Sequence, residues 1–110
     1  METPERILKF DIKGQRIIKK PSCDFSHIVA GSEGYLKAKF YFSQKEWKSC
    51  MKAASFWVND KETGVLLDER DTCLIPKEVL SNRTFKISVT GIRPGYKIST
   101  NRVKVTQEVK

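Results

Sequence analysis

The side chains in this 110-residue chain that could carry acid–base, nucleophilic or metal chemistry are few and scattered. His27 is the sole histidine, and a general base needs a nucleophile or an orienting carboxylate beside it. No serine or cysteine stands in a strand-turn-helix elbow that would supply the nucleophile. Asp68, Glu69 and Asp71 lack the spacing of an EF-hand calcium loop and enclose Arg70, so they read as a solvated turn. Cys23, Cys50 and Cys73 are odd in number, far apart and without a Cys-x-x-Cys pair. That excludes a zinc framework and fits free thiols in a reducing compartment. Gly31-Ser32-Glu33-Gly34 lacks the Gly-Lys-Ser/Thr ending with which a phosphate loop reaches a nucleotide. Asn82-Arg83-Thr84 matches the glycosylation triplet, but Met1 to Arg6 show neither the basic start nor the apolar stretch of a secretion signal. These residues predict a protein that is not an enzyme, holds no metal or cofactor, and is made in a cytoplasm.

Binding is the chemistry that remains. The chain has 21 Lys and Arg against 13 Asp and Glu, a formal charge of +8 that favours anionic partners without naming one. The most pointed group is Tyr35, Lys37, Lys39 and Tyr41, which alternate along one stretch and so share a face. Cations interleaved with aromatic rings are what a single-strand-binding sheet uses, the rings stacking on bases and the lysines tracking phosphates. Ordinary solvent faces and protein interfaces use the same residues, and nucleic acid is the less favoured partner. Trp57 points outward if its neighbour Phe56 points inward, which would make it an interface anchor beside that binding face. Arg102 and Lys104 form a second basic group; Arg16, Lys19, Lys20, Lys45, Lys48 and Lys52 are dispersed.

Such faces need strands to hold them. Leu36, Ala38, Phe40 and Phe42 alternate with the Tyr and Lys set over eight residues, a period of two that excludes an amphipathic helix. Ile7 to Ile12 and Arg16 to Ile18 predict a hairpin or bent edge strand turning at Lys13-Gly14-Gln15. Gly31 and Gly34 predict a second reversal through positive φ. Ser43, with Glu46 as capping-box partner, begins a short helical turn that places Trp47 in the core. Ala53 to Val58 and Val65 to Leu67 form a hairpin across an Asn59 to Gly64 loop, and Thr72 to Ile75 resume an extended pattern. Pro76 suits the first position of a helical turn ending at Leu80. Phe85, Ile87 and Val89 face inward on one late strand and Val103 and Val105 on another, with Arg93-Pro94-Gly95 turning the chain between them.

Seven to eight short strands with one or two single-turn helices indicate an all-β, antiparallel, immunoglobulin-like sandwich. With 39% hydrophobic and 31% charged residues, 1–110 is one domain with its core in 7–106. No apolar run approaches the roughly 20 residues that span a bilayer, so no membrane is expected.

The succession Ile28 to Phe42, then Trp47, Val65-Leu66-Leu67-Asp68 and Cys73 to Leu80, resembles small β-sandwich modules of virion structural proteins in phages and prophages of Gram-positive bacteria. The likeness runs over residues 7–106 and is one of strands and turns; Lys77 stands where those modules often carry an aromatic residue. The resemblance implies a non-enzymatic structural or adaptor module that docks onto other virion proteins of the tail, baseplate or head decoration. It would reside in the virion, and a homo-oligomer is open. The alternative is a small basic phage-encoded regulator or inhibitor that binds nucleic acid or an acidic host protein.

Overall fold

A computed structural model describes residues 4–42 and 45–109. β1 (Arg6–Lys13) and β2 (Arg16–Lys19) form the expected opening hairpin, turning at Gly14 with φ 57°. After a crossover come β3 (Leu36–Phe42), a 3-10 turn (Lys45–Trp47), and the hairpin of β4 (Met51–Val58) with β5 (Lys61–Leu66). β6 (Thr72–Leu74), one helical turn α1 (Lys77–Leu80), and β7 (Thr84–Arg93), β8 (Tyr96–Ser99) and β9 (Val103–Thr106) follow. The strands make two sheets, in the orders β2-β1-β3-β6 and β5-β4-β7-β8. β9 shares the edge of β7 with β8, β8 pairing along Thr90–Arg93 and β9 along Thr84–Ile87. This is an all-β sandwich, as the strand pattern requires, with nine strands among the described residues where seven or eight were expected.

One pairing departs from the antiparallel expectation. β1 and β3 run parallel, with Arg6 opposite Leu36 through to Ile12 opposite Phe42. Parallel neighbours need a long connection, and here it is the irregular segment 20–35. That segment is fastened along its length, with Lys20 N–H donating to Lys9 O at 3.0 Å and Gly31 N–H to Leu80 O at 2.7 Å. The Arg6 guanidinium donates to the carbonyls of Asp24, Ser26 and His27 at 3.0, 2.7 and 3.1 Å. Farther on, Ala30 N–H donates to Glu108 O at 2.9 Å and Glu108 N–H to Ile28 O at 2.6 Å. Side-chain and distant backbone groups thus satisfy polar atoms that no ladder reaches.

Alternation sets the core. Leu8, Phe10, Ile12, Leu36, Ala38 and Phe40 of the first sheet and Ala54, Phe56, Phe85, Ile87, Val89 and Val105 of the second belong to one buried cluster. Trp47, 1% exposed, is core as expected. Its Nε1 donates to Gly14 O at 2.7 Å, its ring lies 5.0 Å from that of Phe42, and it covers Gly91 on β7. A Cβ at Gly91 would stand 2.9 Å from the indole, so a glycine within a strand, ordinarily a weakness, makes room for this ring.

Two local expectations change. Lys61 to Gly64 are strand, not loop: the reversal is confined to Asn59-Asp60, with Asn59 at φ 56°, because Glu62 and Thr63 pair with Trp57 and Phe56. Cross-strand packing overrides the poor strand propensity of those residues. Pro76 precedes the helical turn, since its ψ of 139° is extended and the helix starts at Lys77. Lys77 is exposed and its Nζ lies 3.6 Å from Glu33. The Ser43 cap lies outside the described residues. Among the described residues no helix is long and apolar enough to cross a membrane.

Candidate functional site

The anticipated binding residues lie on two surfaces, not one. Tyr35, Lys37, Lys39 and Tyr41 do share the outer face of the first sheet, with Tyr35 exposed just ahead of β3. Register sets Lys37 between Ile7 and Leu74, Lys39 between Lys9 and Thr72, and Tyr41 opposite Asp11. Much of its charge is already engaged. Lys37 pairs with Glu5 at 2.8 Å and Lys20 with Asp11 at 3.0 Å. The Tyr41 ring carries the Lys20 ammonium at 4.5 Å and that of Lys39 at 5.5 Å from its centroid. Cation–π contacts of this kind occupy the ring surface on which a base would stack.

Trp57 belongs to the other surface, which corrects its grouping with the tyrosines. Phe56 is fully buried, so alternation turns Trp57 to the outer face of the second sheet. There it meets Arg102, whose guanidinium carbon lies 3.5 Å from the ring centroid, while Nε1 donates to Ser88 Oγ at 3.0 Å. The register aligns Glu62, Trp57, Lys86 and Lys104 in one row across β5, β4, β7 and β9. Ser55 donates its hydroxyl to Glu62. Arg102 and Lys104 therefore join Trp57, and Lys86, Ser55 and Ser88 are the partners that sequence reasoning missed. Parity along the late strand, where Phe85 and Ile87 face inward, was the signal that could have placed Lys86 outward.

The same outer face is apolar at its other end. Met51, Leu66 and Ile92 are 68%, 65% and 54% exposed. Met51 opposes Ile92, and Leu66 opposes Ala53 two residues along β4. Exposed aliphatic groups thus gather on one face beside cations and an aromatic ring.

The residues with catalytic potential are dispersed. His27, at φ 56°, is a solvent-facing side chain 3.4 Å from Glu108. Asp68 accepts the N–H groups of Thr72 and Arg70, which hold its carboxyl below the usual value of 3.8, and Lys52 pairs with Asp71 at 3.1 Å. The acidic group is a braced loop. Among the described residues no three His, Cys, Asp or Glu side chains cluster as metal ligands.

The three thiols are free, Cys23 and Cys50 half-buried and Cys73 buried. Burial first, and the Asp68 charge second, push the Cys73 thiol from 9.0 up to about 12. Because the unfolded thiol ionises at lower pH, this group leaves stability flat below pH 9 and reduces it as pH rises toward 12. Maleimide labelling at pH 8 followed by mass spectrometry is expected to modify Cys23 and Cys50 in the native protein and Cys73 only after unfolding. Equal native rates at all three would contradict the placement of Cys73.

Compared with known proteins, the chain matches no protein-family model and no curated protein.

Proposed function

We propose that this protein is a non-enzymatic docking module whose partner-binding surface is the outer face of the second sheet. The supporting observation is the joining, on one face, of the aliphatic Met51, Leu66 and Ile92 to the Trp57–Arg102 stack and the Lys86–Lys104 pair. Tryptophan and arginine are the side chains that most often dominate interface energetics, and an apolar area rimmed by cations suits a partner with the reverse pattern, an apolar patch rimmed by carboxylates. A virion protein is the partner proposed, as the strand-and-turn resemblance suggests, with tail, baseplate and head decoration as its settings. The basic regulator that binds an acidic host protein would use the same face, and it is distinguished by where the protein is found.

The test is mass spectrometry of purified particles from cells that carry the coding sequence, with chemical cross-linking of lysines. The polypeptide is expected in the particles, with Lys86, Lys104 and Lys97, which stands opposite Ile92 on β8, cross-linked to an acidic protein. Met51→Glu combined with Ile92→Glu is expected to lower incorporation by about tenfold or more, the effect of roughly 1.4 kcal/mol. Particles without the polypeptide would refute the virion setting, and cross-links confined to Lys37 and Lys39 would refute the face.

A further inference from the structure

On the other side of the molecule, the geometry points to a phosphate-binding cleft that reads no base. A cleft of about 570 Å³ opens at the C-terminal end of β3, where Lys13, Lys20, Lys39 and Arg70 surround Tyr41. Ligand sites commonly fall within roughly 300–1,000 Å³, so the space admits a small polyanion or a short stretch of phosphodiester chain. Asp11 and Asp71 also line it, and both are already matched: Asp11 by Lys20 at 3.0 Å and Asp71 by Lys52 at 3.1 Å. Among the described residues no carboxylate lies within ion-pair distance of Lys13, Lys39 or Arg70. Three cations thus line one cleft without a direct ion pair, Arg70 being the one whose charge is felt by the nearby Asp68 carboxylate.

The backbone that carries two of them is held in place. Lys39 is carried on a paired strand, and Arg70 stands on a loop braced by Asp68, whose carboxylate accepts the N–H groups of Arg70 and Thr72 at 2.9 and 3.0 Å. The ammonium groups of Lys20 and Lys39 both lie against the Tyr41 ring, at 4.5 and 5.5 Å from its centroid, and a phosphate oxygen is a charge-assisted hydrogen-bond acceptor for such groups. With the ring so occupied, base stacking is disfavoured and the ligand is recognised by phosphate alone. Phosphates of a single nucleic-acid strand and of a small polyphosphate share that chemistry.

The experiment titrates ¹⁵N-labelled protein at low salt with inorganic tripolyphosphate and, separately, with a fifteen-nucleotide oligo-dT. Saturable shifts centred on residues 11–13, 39–41 and 70–71 are expected from at least one probe. Oligo-dT binding that greatly exceeds tripolyphosphate binding identifies a strand as the source, and comparable binding identifies small polyphosphates. Lys13→Glu with Arg70→Glu is expected to weaken binding about tenfold or more. Lys61→Glu with Arg83→Glu, an equal change of charge at two exposed residues of the other sheet and its flanking loop, is expected to alter it less than about twofold. Lys13→Gln with Arg70→Gln serves if the reversed pair does not fold. Equal losses from the two charge-reversal variants would reduce the effect to the diffuse field of a +8 chain and overturn the site. So would a failure of both probes to saturate at millimolar concentration.

Discussion

Replacing Trp47 with alanine is expected to destabilise the protein by about 3–5 kcal/mol, the range for removing a large aromatic group from a core. The contacts of Trp47 reach three separate elements. The indole donates to Gly14 in the β1–β2 turn, packs on Phe42 at the end of β3, and fills the space that Gly91 leaves on β7. It therefore ties one end of the first sheet to the second. Domains of this size are stable by only ~5–15 kcal/mol, so the loss would consume much of the margin. Trp47→Phe keeps most of the ring and loses the Nε1 hydrogen bond, with a cost nearer 1–2 kcal/mol, the rough worth of one such bond plus modest repacking. Urea titrations of the three proteins measure both quantities. A cost under about 1 kcal/mol for the alanine variant would show that the two sheets hold together without this pin.

Phe10→Ala should cost a similar amount, about 3–5 kcal/mol, with a different spatial signature. Phe10 is fully buried at the middle of β1, stacked on Phe40 with ring centroids 5.5 Å apart and met edge-on by Phe25 at 5.4 Å. Phe40 is its register partner in the parallel pair and Phe25 belongs to the crossover. One truncation thus weakens both the parallel pairing and the seat of the segment that makes it topologically possible. Hydrogen exchange should show the amides of Lys9, Ala30 and Phe40 losing protection by more than those of β4 and β7. A uniform loss over both sheets would mean that the crossover has no stability of its own to lose.

These residues also show where sequence reasoning succeeds and where it stops. The inward sets Leu36, Ala38, Phe40 and Phe85, Ile87, Val89 are legible because a strand half-buried on one face must alternate, and the period needs no knowledge of the neighbour. The neighbour is what stays hidden. Residues 20–35 carry no periodicity, so nothing announces that they return the chain to lie parallel to β1; that outcome depends on Arg6 and Glu108, remote contacts that leave no local trace. Lys61 to Gly64 look like a loop by propensity and become strand by pairing with Phe56 and Trp57. The surface follows the same rule. Parity assigns Trp57 and Lys104 each to an outer side, but only register brings both beside Lys86, and only the turn into β9 lays Arg102 over the indole.

The opposed placement of the two basic surfaces has a consequence for how the protein responds to its surroundings. A formal charge of +8 suggests one electrostatic object. In space it is divided, with the Lys39–Arg70 cleft on one sheet and the Arg102–Lys104 group on the other. The two groups lie on opposite outer faces of a body whose shortest extent is 24 Å, about three screening lengths of roughly 8 Å through the surrounding physiological salt. An anion neutralising one surface therefore changes the potential at the other only weakly, and filling one does little to discourage filling the other. The sandwich thus presents cations on two opposite sides, so that two separate anionic groups could approach it without meeting.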